Sequence, residues 1–440
     1  MRDPDGSLEI HQDHVARSVR PDSPAARFLA TDAARSLVAS GRLVDYEFKS
    51  EGSLVAPRLP FVAHPFEWPD AQLARAAQLT IDVARAVLPA GHDLKDASAW
   101  NIIFRGTTPV FCDHLSFEPI VAREWWAFGQ FVRHFVLPLG VAKLKGIHAY
   151  RAFQLARDGL APALARELMG GRRFLSRYWP LVVDYRPSAP GARAPATGDP
   201  TAFRERIYRY CANAARAPNA RRASHWSKYA DERSHYSSGA SRFKEQTVER
   251  WLGALRPAWV TDLGCNTGEY ALLAQRCGAA VVVAVDYDHD CIEALFEGAS
   301  GTVVHPVIAD LGDLPGGRGW MGTETPGLMT RLAGRADVVI CLALVHHLAV
   351  SESIPLAEIA RLLAHLSKAH AVVEIIGEDD PMLVTLAAQR QRDPHEFAPR
   401  RQLDALAEFF TVEADEAIPE TKRRIVLLRR RSAAHAGASS

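Results

Sequence analysis

The C-terminal half of the chain alternates short apolar runs with segments of helical periodicity. Five runs are almost wholly apolar, as expected of parallel strands buried on both faces, and two more flank the short segment 419–422. The predicted strands are 259–263, 280–286, 302–309, 337–342, 371–376, 409–418 and 423–430. The pattern therefore predicts an α/β domain with a largely parallel sheet that closes on an antiparallel hairpin.

The first half of the chain has a mixed pattern. Strand-like pieces at 8–10, 44–48 and 54–56 precede a segment of helical spacing at 71–88, which predicts an α+β region. Residues 186–200 contain four prolines, two glycines and no bulky apolar side chain, as expected of a spacer. The predicted organisation is an N-terminal accessory domain (1–185), a linker (186–200), an α/β domain (201–432) and a disordered tail (433–440).

Composition narrows the choice of partners. The 52 Lys and Arg nearly balance the 51 Asp and Glu, which argues against broad binding to nucleic acid or to a membrane, but not against a local patch. The six cysteines are scattered without a C-x-x-C pair, so neither a disulfide framework nor a metal site is expected. We find no apolar leader and no run of membrane-spanning length. A cytoplasmic protein is expected.

The loop after the first predicted strand carries the strongest chemical signal. It reads Asp-Leu-Gly-Cys-Asn-Thr-Gly from Asp262 to Gly268, and the next strand closes on a second acid, Asp286. Strand, glycine loop, helix and strand ending in an acid form the nucleotide-binding half of a doubly wound domain. Asp262 at the strand tip would repel a pyrophosphate and would attract an ammonium group. The loop therefore favours S-adenosylmethionine (SAM) over a dinucleotide.

This loop resembles motif I of class I SAM-dependent methyltransferases, with Asn266 in place of the usual middle glycine. The resemblance implies a Rossmann-like, seven-stranded sheet. It also implies that the loop surrounds the methionine part of SAM, that the acid after the second strand binds the ribose, and that an aspartate after the third strand contacts the adenine. The cofactor residues it implies are Asp262, Gly264, Cys265, Asn266, Gly268, Asp286, Tyr287, Asp310 and Leu311.

The acceptor is expected above the carboxyl ends of the first and fourth strands, at the topological switch point. His346 and His347 follow the fourth strand, and a histidine has a pKa suited to removing a proton from an acceptor. The alternative is that they only shape the pocket. A segment before the first strand supplies lid candidates, unless its aromatic side chains simply cap the domain. The substrate-side or lid candidates are Tyr229, His235, Tyr236 and Glu374.

A second constellation lies in the N-terminal half. Asp96, Asn101 and Asp113 have a spacing similar to the catalytic loop and metal-binding aspartate of kinase-like folds, including aminoglycoside phosphotransferases. A glycine-rich phosphate loop and a strand lysine are not apparent in the sequence. Three interpretations stay open: a kinase-like lobe without phosphotransfer, an unrelated helical domain, and an active kinase.

Segments across both halves resemble a bacterial group of two-part methyltransferases, the NoeA-like nodulation proteins. They are His64–Trp68, Leu94–Asn101, Pro109–Asp113, His235–Ser237, Leu342–Leu348 and Asp380–Met382. The resemblance implies methyl transfer, and we expect a small-molecule or sugar-type acceptor with a nucleophilic O or N. Two alternatives remain: a SAM-binding regulator or scaffold whose N-terminal region binds a protein partner, and a bifunctional enzyme that also uses ATP.

Overall fold

A computed structural model describes residues 6–174, 176–183, 199–218 and 238–431. The chain divides into two compact units, residues 1–221 and 222–440. Each unit has its own buried apolar core. Among the described residues, none of the helices combines the length and apolar character needed to cross a membrane.

The first unit contains small antiparallel sheets. Its strands are β1 (Leu8–Ile10), β2 (His14–Ser18), β3 (Glu47–Ser50), β4 (Ser53–Pro57), β5 (His92–Leu94), β6 (Ile102–Arg105), β7 (Thr108–Phe111) and β8 (Phe117–Pro119). One sheet has the order β1-β2-β4-β3, and the other strands pair as β5 with β8 and β6 with β7. The predicted strand at 44–48 is shifted, because the N–H of Val44 bonds the carbonyl of Phe111 and pairing with β4 begins only at Glu47.

Helices make up most of the remainder of this unit. They are α1 (Pro24–Leu29), α2 (Asp32–Ala39), α3 (Asp70–Val87), α4 (Phe128–Phe131), α5 (Leu137–Lys145), α6 (Tyr150–Leu155), α7 (Pro162–Met169), α8 (Trp179–Val183) and α9 (Pro200–Ala214), with a π-helical turn between α4 and α5. The helix predicted at 71–88 is α3. Its apolar positions at helical spacing are buried, among them Leu73, Ala77 and Ile81, so the periodicity reflects a core-facing stripe.

The sequence-based domain boundary needs a correction at α9. We placed this helix in the α/β domain, but it packs within the first unit, where the Arg204 guanidinium pairs with buried Asp93. The Tyr208 hydroxyl donates to the same carboxylate at 2.6 Å. The first unit therefore extends beyond 200. The predicted linker lies outside the described residues except at 199–200, and so does the predicted tail.

The second unit is built on one seven-stranded sheet. Its strands are β9 (Trp259–Leu263), β10 (Val281–Asp286), β11 (Val304–Ile308), β12 (Ala336–Cys341), β13 (Ser367–Ile376), β14 (Phe410–Ala417) and β15 (Arg423–Arg430). The order is β11-β10-β9-β12-β13-β15-β14, parallel except for β15, which runs antiparallel to both of its neighbours. All seven predicted strands are confirmed. The largest difference is at β13, which begins four residues early because Ser367 already pairs with Ala336.

The helices of this unit lie between the strands in sequence. They are α10 (Ser238–Leu255), α11 (Glu269–Arg276), α12 (His289–Gly298), α13 (Leu328–Leu332), α14 (Leu356–Leu366), α15 (Pro381–Gln389) and α16 (Pro399–Ala407), with a π-helical turn at His347–Ser351. From β9 the chain moves to β10 on one side, and it later returns to β12 on the other. The carboxyl ends of these three strands therefore open a crevice at the switch point.

Candidate active site

The loop between β9 and α11 has three residues in the left-handed region, with φ of 68° at Gly264, 49° at Asn266 and 86° at Gly268. Asparagine tolerates this conformation better than most residues that carry a Cβ, which explains how it replaces a glycine at the middle position. The N–H groups of Gly264 and Cys265 both donate to the carbonyl of Val285, at 2.8 and 3.1 Å. The loop is thereby held to the end of β10.

Gly268, which we predicted to contact the cofactor, has a packing role in the structure. It is not among the residues that line the cavity described below. A Cβ on Gly268 would stand 2.2 Å from the Cδ1 atom of Leu295, which is closer than any real contact. The glycine is needed because α12 lies against the first turn of α11.

A cavity of about 390 Å³ opens at the switch point and lies wholly within the second unit. Its walls come from the loops after β9, β10, β11 and β12 and from α10. Eight predicted cofactor residues line it: Asp262, Gly264, Cys265, Asn266, Asp286, Tyr287, Asp310 and Leu311. The carboxyl ends of parallel strands bring these side chains together from positions up to 49 residues apart in the chain.

Asp262 is a strongly perturbed member of this set. It is 2% exposed, and its Oδ2 atom has no hydrogen-bond partner among the described residues. Burial, reinforced by the charge of Asp286 and opposed by that of Lys244, raises its pKa to about 8. A buried carboxyl oxygen without a partner is costly. A ligand that brings an ammonium group to this wall would satisfy it.

Lys244 lines the same cavity and belongs to a buried chain of ion pairs. Its ammonium group pairs with Glu374, which is fully buried and pairs in turn with Arg423 at 3.0 Å. Arg423 also contacts Asp380 at 2.7 and 3.1 Å. The chain therefore alternates in charge from the cavity wall to the N-terminus of α15. We predicted Glu374 on the substrate side; instead it lies behind the wall and holds Lys244.

The two acids predicted to contact the nucleoside end differ in their surroundings. Asp286 accepts hydrogen bonds from the N–H groups of Asn266 and Asp288, at 2.8 and 2.9 Å, and burial raises its pKa. Asp310 is exposed and accepts from the N–H of Gly312 at 2.9 Å. Because each carboxylate oxygen has two lone pairs, both acids retain acceptor capacity for ligand hydroxyl or amino groups.

His346 and His347 both line the cavity, with ring centroids 4.1 Å apart. Burial and the positive charges of Arg423 and Lys244 hold the pKa of His346 well below its usual value, and its Nδ1 atom is buried without a partner in the described part of the chain. Burial lowers the pKa of His347 to about 4. Both rings are therefore neutral near pH 7 and can accept a proton or a hydrogen bond.

Sequence reasoning missed part of the wall. Glu269, Tyr270 and Glu352 line the cavity, although only the first two stand next to a recognisable motif. Ala343, also on the wall, has a φ of 51°, which an apolar run does not reveal. The lid candidates Tyr229, His235 and Tyr236 lie outside the described residues.

The kinase-like constellation of the first unit is joined by hydrogen bonds. Asn101 donates to the Ser116 hydroxyl at 3.2 Å, and that hydroxyl donates to Asp113 at 2.7 Å. The other oxygen of Asp113 pairs with buried Arg17 at 2.8 Å. The guanidinium thus supplies the positive charge that a metal ion supplies beside the equivalent aspartate of a kinase. The backbone carbonyl of Asp96 accepts a hydrogen bond from the Asn101 amide at 3.5 Å. A lobe without phosphotransfer remains our prediction.

The sheet order and the cavity at its switch point define the fold of class I SAM-dependent methyltransferases. Methyl transfer follows from a family match: a family model described as a methyltransferase domain covers residues 211–411. The protein is a SAM-dependent methyltransferase, with SAM as its cosubstrate. Predicted fold and enzyme class are both confirmed.

Similarity to a curated protein extends beyond this domain. The chain is 27% identical over 458 aligned residues to the nodulation protein NoeA of Rhizobium meliloti (strain 1021), and the match covers 98% of this chain and 95% of that one. The N-methyltransferase NodS from Bradyrhizobium japonicum is 10% identical, covering 44% of this chain and 99% of its own, with a TM-score of 0.33. A SAM-dependent methyltransferase from Mesorhizobium loti is 14% identical, covering 41% and 96%, with a TM-score of 0.30.

Proposed function

We propose that the protein transfers the methyl group of SAM to an oxygen or nitrogen of a small-molecule or sugar-type acceptor bound beside His346 and His347. The observation that carries the proposal is the buried oxygen of Asp262, which has no partner in the described part of the chain and lies in a cavity that also presents Lys244. A carboxyl group and an ammonium group on one wall match the two charges of an amino acid. SAM supplies a methyl group on a sulfonium centre, which is open to attack by a nucleophile.

In this proposal the residues of the chain bind, orient and accept protons. Asp262 accepts the ligand ammonium, Lys244 binds the ligand carboxylate, and Asp286 accepts hydrogen bonds from the ribose hydroxyls. His347 removes the proton of the acceptor, because it is neutral near pH 7 and is more exposed than His346. His346 positions the neighbouring ring.

The cofactor half of the proposal is tested with two ligands that differ in one group. Lys244→Met should weaken the binding of SAM and leave the binding of decarboxylated SAM unchanged, measured by calorimetry on the full chain. Lys244→Met/Glu374→Gln is the control, because it removes the buried charge that the single substitution leaves without its ammonium partner. Equal losses for both ligands in both variants would contradict the assignment.

The acceptor half requires a methyl-transfer screen with radiolabelled SAM against amines, hydroxylated metabolites and sugars. We expect His347→Ala to abolish transfer without changing SAM affinity and His346→Ala to reduce it. Unchanged turnover in both variants would remove the histidine base. Tight SAM binding without transfer to any acceptor in the screen would instead favour a SAM-binding regulator.

A further inference from the structure

The near-zero net charge of the chain conceals one strongly basic segment. Residues 133–218 contain 15 Lys and Arg against 5 Asp and Glu, a net charge of +10. Because the whole chain carries +1, the remaining residues together carry −9. A local excess of this size attracts anionic surfaces even where the total charge is small.

Part of this excess is concentrated where α5 ends. Lys143 and Lys145 are exposed in its last turn. Arg172 donates to the carbonyl of Leu144 at 2.5 Å, so the segment that carries Arg172 lies against the end of α5. In the part of the chain that the structure describes, no carboxylate pairs with these three cations. Their charge is therefore available to an external anion.

Two exposed apolar side chains each follow one of these cations by two residues in the chain. Ile147 is 40% exposed just after the helix, and Phe174 is 56% exposed just after Arg172 and Arg173. The Phe174 ring is held by Arg173, whose guanidinium lies 4.4 Å from its centroid, and by Trp179 at 4.6 Å. It is thus fixed in an outward position instead of folding into the core. We call Lys143, Lys145, Ile147, Arg172 and Phe174 the basic patch.

The combination of cations with exposed aliphatic and aromatic side chains distinguishes between kinds of anionic partner. Nucleic acids are bound by cations with aromatic rings on which bases stack, and an exposed isoleucine adds nothing to such a surface. An anionic bilayer accepts both components, since headgroup phosphates attract the cations and the interface takes up the apolar side chains. We propose that the basic patch binds the surface of an anionic lipid membrane.

The test is sedimentation of the full chain with vesicles. Vesicles that contain about one third phosphatidylglycerol in phosphatidylcholine should bind the protein, and pure phosphatidylcholine vesicles should not. Lys143→Gln/Lys145→Gln should lower the partition coefficient about fivefold for each charge removed. Phe174→Ser should lower it also at high salt, where the charges are screened. The charge-matched control is Arg361→Gln/Arg400→Gln, two exposed arginines of the second unit.

The outcomes separate the alternatives. Absence of binding to the anionic vesicles, or equal loss in the control variant, would overturn the proposal. So would binding to poly(U) in preference to the vesicles, since that result indicates a nucleic-acid surface. Unchanged far-ultraviolet circular dichroism and an unchanged urea-unfolding curve in each variant show that a loss of vesicle binding does not reflect misfolding of the first unit.

Discussion

Replacing Asp262 by asparagine should separate the stability of the second unit from its affinity for SAM. Burial raises the pKa of this carboxyl to about 8, against an ordinary value of 3.8. Between these values the folded protein holds a proton that the unfolded chain releases, so the free energy of unfolding decreases as the pH rises from 3.8 to 8. At pH 7 the loss is on the order of 4 kcal/mol. Because asparagine has a similar shape and no charge to bury, Asp262→Asn should raise the free energy of unfolding of the ligand-free protein, up to that amount.

The same substitution should weaken SAM binding. If the ligand ammonium pairs with the ionised carboxyl of Asp262, one proton leaves the protein on binding. The association constant for SAM should then increase about tenfold per pH unit between pH 5 and pH 7. Calorimetry in two buffers of different protonation enthalpy should detect the release of about one proton per SAM. Asp262→Asn should remove both the proton release and the pH dependence.

Two controls make this test decisive. 5′-Methylthioadenosine has the nucleoside of SAM without the amino-acid part, so its affinity for the wild-type protein should vary little over the same pH range. Urea unfolding of both proteins without ligand measures the stability term separately. A similar pH slope for 5′-methylthioadenosine, a retained slope in Asp262→Asn, or a less stable variant would each refute the reasoning.

Three further predictions, two from substitutions and one from a pH profile, test other parts of the structure. Gly268→Ala should cost about 2 kcal/mol in urea unfolding, because it combines a left-handed φ with a Cβ 2.2 Å from Leu295; an unchanged midpoint would contradict the close approach. Arg17→Met should cost about 3–5 kcal/mol by leaving Asp113 buried without its cation, and the added substitution Asp113→Asn should restore part of that loss. Because burial lowers the pKa of His347 to about 4, the acid limb of kcat/KM for the acceptor, measured at saturating SAM, should lie near pH 4, and a limb near 6.5 would contradict the assignment of this histidine as the base.

The fold of the second unit was predictable because the apolar runs and the turn residues between them predict the same sheet. Apolar runs such as that of β10 are typical of strands covered on both faces, and Gly264 and Gly268 mark the turn that follows the first of them. The fold of the first unit was harder to predict from the sequence. Its strands are short, and β3 is displaced because Val44 pairs with Phe111 instead. That partner lies 67 residues away, beyond the range of a local pattern.

The residues of the candidate site also divide into those that a local motif predicts and those whose position depends on distant partners. Residues next to strand ends, such as Asp262 and Asp286, were predictable because the ends of parallel strands meet at one edge. Glu374 was placed on the wrong side of the wall, because its orientation depends on Arg423, which follows it by 49 residues. The basic patch was overlooked for a different reason: the charge was summed over the whole chain, whereas a count over shorter windows reveals it.

The ion-pair chain gives the terminal hairpin a role beyond closing the sheet. Glu374 is fully buried, and a carboxylate there would be strongly disfavoured without two cations beside it. Lys244 is one of them, and Arg423, at the start of β15, is the other. Asp380 in turn balances Arg423 from the cap of α15. The antiparallel strand that distinguishes this sheet from a dinucleotide-binding one therefore supplies the second cation that pairs with Glu374. It thereby keeps an ammonium group on the wall that Asp262 shares.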